Sequence, residues 1–164
     1  MLSVYAMIYL APGGYATGRR LSRQYSTILG SCVSLVLWHP ATGFFAICHY
    51  LMVHAKAGAI SPLSMGKYAE LILPHFQRQV QKAGLVAGDV QASLYGGAGN
   101  ARTRGLARHF QVARCNVDYA DAFVQQQGWQ LFNRDVGGEQ GRKLLFDSHT
   151  GECEVFRLSE SSLP

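Results

Sequence analysis

Cys32 and His49 are the two residues of this chain whose types and spacing suit one nucleophilic reaction. The thiol closes the run Gly30-Ser31-Cys32, directly before Val33-Ser34-Leu35-Val36-Leu37, an apolar stretch that reads as a buried strand. Gly30 can take backbone angles closed to other residues and lets another chain approach closely. Backbone N–H groups of Gly30, Ser31 and Cys32 at such a corner can hold a developing oxyanion. A cysteine nucleophile also needs a base for its proton and a third group to orient that base. His49, seventeen residues on, lies across the turn His39-Pro40-Ala41-Thr42-Gly43, so a hairpin can bring it beside Cys32. An imidazole there would lower the thiol pKa toward a resident thiolate. Ser26 and Thr27 are the candidate orienters of the imidazole. The structural alternatives are a cysteine serving as a small buried hydrophobe and a histidine satisfied at a strand end.

Other groupings carry less chemistry. Cys48 adjoins His49, and in an extended strand their side chains point to opposite faces. With Cys32, Cys115 and Cys153 it forms no C-x-x-C pattern, which argues against zinc. Asp147-Ser148-His149 holds triad-type residues, but contiguous residues in a turn cannot form a triad, and turn chemistry explains them. Gly96-Gly97-Ala98-Gly99 lacks the lysine of a phosphate loop. Gly96, Gly97 and Ala98 fit better as a wall that lets a substrate approach the backbone, a plain loop being the alternative.

The elements that must position these residues follow from periodicity and punctuation. Val4–Leu10, Tyr25–Leu29, Val33–Trp38 and Phe44–Met52 read as strands, with a polar basic stretch between the first two. Tyr68, Ile72, Phe76 and Val80 recur every four residues and predict a helix, started by Ser61-Pro62 or Ser64 and ended at Gly84. Pro74 should kink or split it. Val90–Tyr95 reads as a strand. A second helix starting at Asn116 or Asp118 buries Ala120, Phe123 and Val124 and stops at Gly128. Trp129–Phe132, Arg142–Phe146 and Cys153–Leu158 complete the strands. Strands, then helices, then strands predict an α+β fold, with mixed sheets layered against two main helices and the cysteine at a strand corner.

Composition bounds the rest. At 164 residues the chain reads as one domain over 1–164, and 48% hydrophobic with 15% charged residues excludes disorder and coiled coil. The net charge of +5 comes without a nucleic-acid motif, and scattered solvated arginines explain it better than an RNA surface. The apolar stretch at Met1–Leu10 is too short to span a membrane and lacks the marks of a signal peptide. A reduced, cytoplasmic protein is expected, without membrane insertion.

Taken together, the residues resemble the CheD family of bacterial chemotaxis, the chemoreceptor glutamine deamidases. The similarity runs from Pro12-Gly13 through Thr27-Ile28-Leu29-Gly30-Ser31-Cys32-Val33 to His49-Tyr50-Leu51-Met52. It resumes at Gly66-Lys67-Tyr68-Ala69, Gly96-Gly97-Ala98, Asn116-Val117, Asp135-Val136-Gly137-Gly138, Gly141-Arg142-Lys143 and Thr150-Gly151. The Leu-Gly-Ser-Cys segment with a histidine at this distance is its specific part. Val53 replaces a proline common after the histidine segment, Cys115 replaces an arginine before Asn116-Val117, and Pro74 interrupts a helix usually unbroken.

The resemblance implies that Cys32 is the nucleophile and His49 the base, with the orienting threonine of the family falling on Ser26. It implies hydrolysis of a receptor glutamine side chain to glutamate, without metal or organic cofactor, in a shallow groove suited to a long helix. Arg102 and Arg104 would meet the acidic surface of that helix. Chemoreceptors are the implied partners, with a CheC-type phosphatase as a second. A noncatalytic adaptor, or a methylesterase using the same thiol, are the alternative functions.

Overall fold

Three layers are stacked in this chain: two helices, a five-stranded sheet and a four-stranded sheet. The computed structural model describes residues 6–58, 60–99 and 107–159. The five-stranded sheet runs β2 (Tyr15–Arg19), β5 (Phe44–Cys48), β4 (Val33–His39), β6 (Gln91–Gly96), β7 (Gln130–Val136) in spatial order. The four-stranded sheet runs β1 (Ala6–Tyr9), β3 (Arg23–Leu29), β8 (Arg142–Asp147), β9 (Cys153–Arg157). Both are mixed: β1 pairs parallel to β3 and β6 parallel to β7, while the other pairings are antiparallel. With helices α1 (Ala69–Lys82) and α2 (Ala107–Gln127) this is the expected α+β architecture.

Why β4 reads as an unbroken apolar run is now clear: it is covered on both faces. Val33, Leu35 and Leu37 pack with Ile72, Phe76, Val117, Ala120 and Val124 in the core beneath the helices. Val36 and Trp38 pack with Phe45, Ile47, Tyr25, Leu29, Leu144 and Phe146 in the core between the sheets. On β3, Tyr25, Thr27 and Leu29 point inward while Ile28 faces out, the strand period of two made visible.

Several boundaries differ from the sequence reading, each for a physical reason. The polar basic stretch contains an edge strand, β2, whose Gly18 lies against the ring of Phe45. Ser61 caps only a short 3-10 turn over Pro62–Ser64, and α1 starts later, at Ala69. Pro74 does not split α1. It removes one intrahelical N–H, the one that would reach Glu70 O, and burial of Ile72, Leu73, Phe76 and Val80 keeps the helix continuous. Helix α2 extends well before Asn116, so Asn116 is an interior helix residue and not a cap. Gly128, at φ 72°, ends it as expected. Strand β7 runs on to Val136, past the expected Phe132.

Candidate active site

Cys32 lies where the chain passes from one sheet to the other. Strand β3 ends at Leu29 in the four-stranded sheet, Gly30-Ser31-Cys32 make the crossing, and β4 begins at Val33 in the five-stranded sheet. His49 sits one residue beyond β5. There the chain leaves the ladder: the His49 N–H donates to Gly14 O at 3.0 Å, and Gly13 N–H donates to His49 O at 2.7 Å. One further bridge, Val33 with Tyr50, fixes the register. In that register Ser34 stands opposite His49 and Cys32 opposite Leu51, one step diagonally from His49 along the backbone. Cys32 packs against the core between the sheets, where Ile47, two residues before His49, also points.

The third layer of the site comes from the opposite sheet. Thr27 on β3 is buried, and its Oγ1 lies 2.7 Å from His49 Nδ1 and 2.6 Å from Leu10 O. A carbonyl can only accept, so the single hydroxyl proton goes to Leu10 O, and Thr27 must accept from Nδ1–H. The proton is thereby assigned to Nδ1, leaving a lone pair on Nε2. That nitrogen is buried and has no hydrogen-bond partner among the described residues, and the same holds for Ser34 Oγ. Ser26, the position matching the family threonine, is half-buried on the outward-facing side of β3, so the contact with the imidazole belongs to its neighbour Thr27. The alternation of inward residues on β3 was the available signal for choosing between them.

Burial sets the protonation of both groups. Loss of water pushes the Cys32 thiol above its ordinary pKa, with a hydrogen bond from the Ser31 side chain pulling partly back. The same desolvation lowers His49 to about 4, with the Leu10 carbonyl opposing the shift. The resting pair is therefore a neutral thiol and a neutral imidazole, in place of the resident thiolate expected from the sequence.

Two buried side chains that sequence reasoning did not place in the site hold this corner. Asn116, in the interior of α2, donates from Nδ2 to Ser31 O at 3.0 Å and to Leu51 O at 2.9 Å. Arg142 on β8 is 1% exposed and donates to Gly96 O at 2.9 Å, Gly137 O at 2.6 Å and Asp135 Oδ1 at 3.0 Å, tying the two sheets together. Gly96, Gly97 and Ala98 lie buried under the crossing. Gly97 N–H donates to Cys32 O at 2.8 Å and Ala98 N–H to Gly30 O at 2.7 Å. A Cβ on Gly96 would lie 2.2 Å from Cys32 O, at a φ of 106°. Gly97 also lines a surface pocket of about 360 Å³ with Arg114 and Arg134. Gly30 differs from its sequence reading: its φ is not positive, and nothing lies within 4 Å of where a Cβ would stand. Cys32 itself is half-buried. The N–H groups of Ser31 and Cys32 donate to no other group among the described residues. Arg102 and Arg104 lie outside the described residues. All four cysteines are free thiols, Cys115 exposed and Cys48 buried with its Sγ toward Leu35 O.

Comparison with known proteins places this site in context. The family described as CheD chemotactic sensory transduction matches residues 54–157, a stretch that begins just after His49. The chain is similar to the probable chemoreceptor glutamine deamidase CheD 1 of Chromobacterium violaceum, 33% identical over 156 residues, or 95% of this chain and 80% of the relative. It is also 33% identical over 145 residues to probable chemoreceptor glutamine deamidase CheD 3 of Dechloromonas aromatica, covering 88% of this chain and 84% of that one. The corresponding protein of Nitratidesulfovibrio vulgaris is 32% identical over 144 residues, 85% of this chain and 72% of the relative.

Proposed function

The chain belongs to the CheD family, and we propose on that footing that it hydrolyses glutamine side chains of chemoreceptors to glutamate, using Cys32 as nucleophile and His49 as base. The observation that carries the reading is the Thr27–His49 contact, which engages Nδ1 and leaves Nε2 without a partner among the described residues, available to take the Cys32 proton.

The reaction starts from the neutral pair. As Sγ adds to the carboxamide carbon, its proton passes to Nε2, and the carbonyl oxygen becomes an oxyanion between the N–H groups of Ser31 and Cys32. The imidazolium, steadied through Nδ1–H by Thr27 and Leu10 O, returns the proton to the departing nitrogen. Ammonia leaves, and a γ-glutamyl thioester remains on Cys32. Nε2 then takes a proton from water, whose oxygen attacks the thioester carbonyl. The C–S bond breaks, the proton goes back to sulfur, and glutamate is released. The open space above Gly30 gives a side chain on a receptor helix access to the thiol without a deep pocket.

Incubation of the protein with a receptor, followed by peptide mass spectrometry, tests the activity. Glutamine converted to glutamate supports the deamidase reading, and receptor binding without conversion by the wild type favours the adaptor. A CheC-type phosphatase as second partner is part of the proposal, and failure of the two proteins to co-elute would remove it. The cytoplasm is the proposed compartment, in keeping with four free thiols. No described helix is long and apolar enough to cross a membrane.

A further inference from the structure

Beyond the bridge between Val33 and Tyr50, no ladder among the described residues holds the nucleophile segment to the base segment. The chain before Val33 turns away into the other sheet, and the Leu51 N–H is engaged by Lys67 O at 2.8 Å. In the register of the bridge, Cys32 faces Leu51. Pairing there is supplied by a side chain from a third element. Asn116 Nδ2 reaches across from α2 and donates one proton to Ser31 O and the other to Leu51 O. Ser31 adjoins Cys32 in sequence, and Leu51 follows His49 by two residues. The two N–H bonds of one amide thus span the seam between the segments that carry the nucleophile and the base.

Four further observations show that this residue is placed for the seam and not for the helix. Asn116 is fully buried in a helix interior, where asparagine is a poor choice. Its Oδ1 is buried without a partner among the described residues, an arrangement that costs stability. The amide cannot be turned over, since Oδ1 would then face two carbonyl oxygens. Its own main-chain carbonyl accepts from the Tyr50 hydroxyl at 2.5 Å, fixing α2 against the residue after His49. A local rule broken with a consistent geometric purpose marks a functional position.

We infer that Asn116 is a positioning residue of the active site, setting the separation of Cys32 and His49 through the Ser31 and Leu51 carbonyls. The inference rests on the Cys32–His49 reading above, and it acts without touching substrate. Loss of the clamp lets the diagonal pair drift, and a displacement of about 1 Å at a reacting pair can lower turnover about a hundredfold.

The test uses two variants and two readouts. In folded Asn116→Ala, kcat for receptor glutamine conversion falls about a hundredfold while KM changes little. Independently of any receptor, iodoacetamide alkylation of Cys32 is followed by peptide mass spectrometry, with the exposed Cys115 as internal reference. The Cys32 rate and its pH profile move toward those of Cys115 in the variant, while Cys115 itself is unchanged. Asn116→Asp keeps the shape but, when ionised, has no proton to donate. Two facing carbonyls favour its protonated form, which restores one bond. Its kcat and its protected Cys32 therefore recover on acidification below neutrality, where wild type is flat. Asn116→Asp also answers the question should the alanine variant fail to fold. If the wild type converts no glutamine, the deamidase reading fails, and the alkylation profiles alone decide the role of Asn116. Wild-type kcat and a wild-type alkylation profile in both variants, at every pH, overturn the inference.

Discussion

A hydroxyl carries one proton, and the proton of Thr27 is committed to the Leu10 carbonyl 2.6 Å away, so the imidazole beside it must donate from Nδ1. Thr27→Val keeps the shape of the side chain but strands a buried carbonyl and a ring N–H, each worth about 1–3 kcal/mol. Turnover in that variant falls, about 10–100-fold, because the imidazole loses the group that fixes its tautomer. Ser26→Ala, altered on the other face of the strand, changes deamidation little, and rates of the two variants measured side by side check the assignment. The pH dependence follows from the same burial. With His49 at about 4 and Cys32 raised, kcat/KM is flat from just above pH 4 up to the raised thiol pKa, and falls below pH 4 as Nε2 becomes protonated. An acid limb near the ordinary histidine value of 6.5 would contradict this. Stability carries the same sign. The unfolded chain binds a proton on His49 at 6.5 and the folded chain only at about 4, so the stabilisation is complete above 6.5. It is lost as pH falls through that window, by about 3 kcal/mol. Urea titrations of wild type and His49→Gln across pH 4 to 6.5 separate this group from the rest. At this scale Cys32 and His49 stand out in the sequence as candidates because their types admit few uses. Thr27 was harder to choose over Ser26, since both carry a hydroxyl and only the facing of β3 divides them.

Elements contribute by what they press against the crossing. The turn after β6 holds the carbonyls of Gly30 and Cys32, and its first residue has no room for a side chain. Gly96→Ala meets both a positive φ and the Cys32 carbonyl, so it lowers the melting temperature and turnover together. Gly30→Ala meets neither and leaves the melting temperature unchanged, while its methyl group intrudes on the approach to the thiol and raises KM. Thermal denaturation and kinetics of the pair distinguish support from access. Most strands and the stop of α2 at Gly128 were readable from alternation and glycine placement. The start of α2 was not, because Asn116 and Asp118 look like capping residues, and only the seam that the Asn116 amide spans explains an asparagine inside a helix. Strand β2 escaped notice for the opposite reason: a short edge strand has one neighbour to satisfy and little apolar pattern to show.

At the scale of the whole molecule, the site exists because two sheets are held at a fixed distance. Thr27 approaches His49 from the four-stranded sheet, and the fit depends on how the layers are tied. Arg142 is the main polar tie, a buried guanidinium from one sheet gripping Gly96, Gly137 and Asp135 of the other side. Arg142→Met strands the Gly137 carbonyl, while Gly96 O keeps the Gly137 N–H and Asp135 keeps Arg157, so the change costs about 1–3 kcal/mol, measurable by urea denaturation. Its turnover falls further than stability alone requires, because Gly96 leads into the turn that supports Cys32. The α+β class and the family were legible in the chain, the latter through the Gly-Ser-Cys segment and the spacing to His49. The division of strands between the two sheets was not, since nothing in a linear sequence says that β3 and β4, separated by three residues, belong to different sheets. The most direct measurement of the account is a single-turnover reaction with receptor, acid-quenched and read by mass spectrometry. It should show a γ-glutamyl thioester on Cys32 in the wild type and no glutamate formed by Cys32→Ala. Conversion that persists in Cys32→Ala, or an acyl group on any other residue, would contradict it.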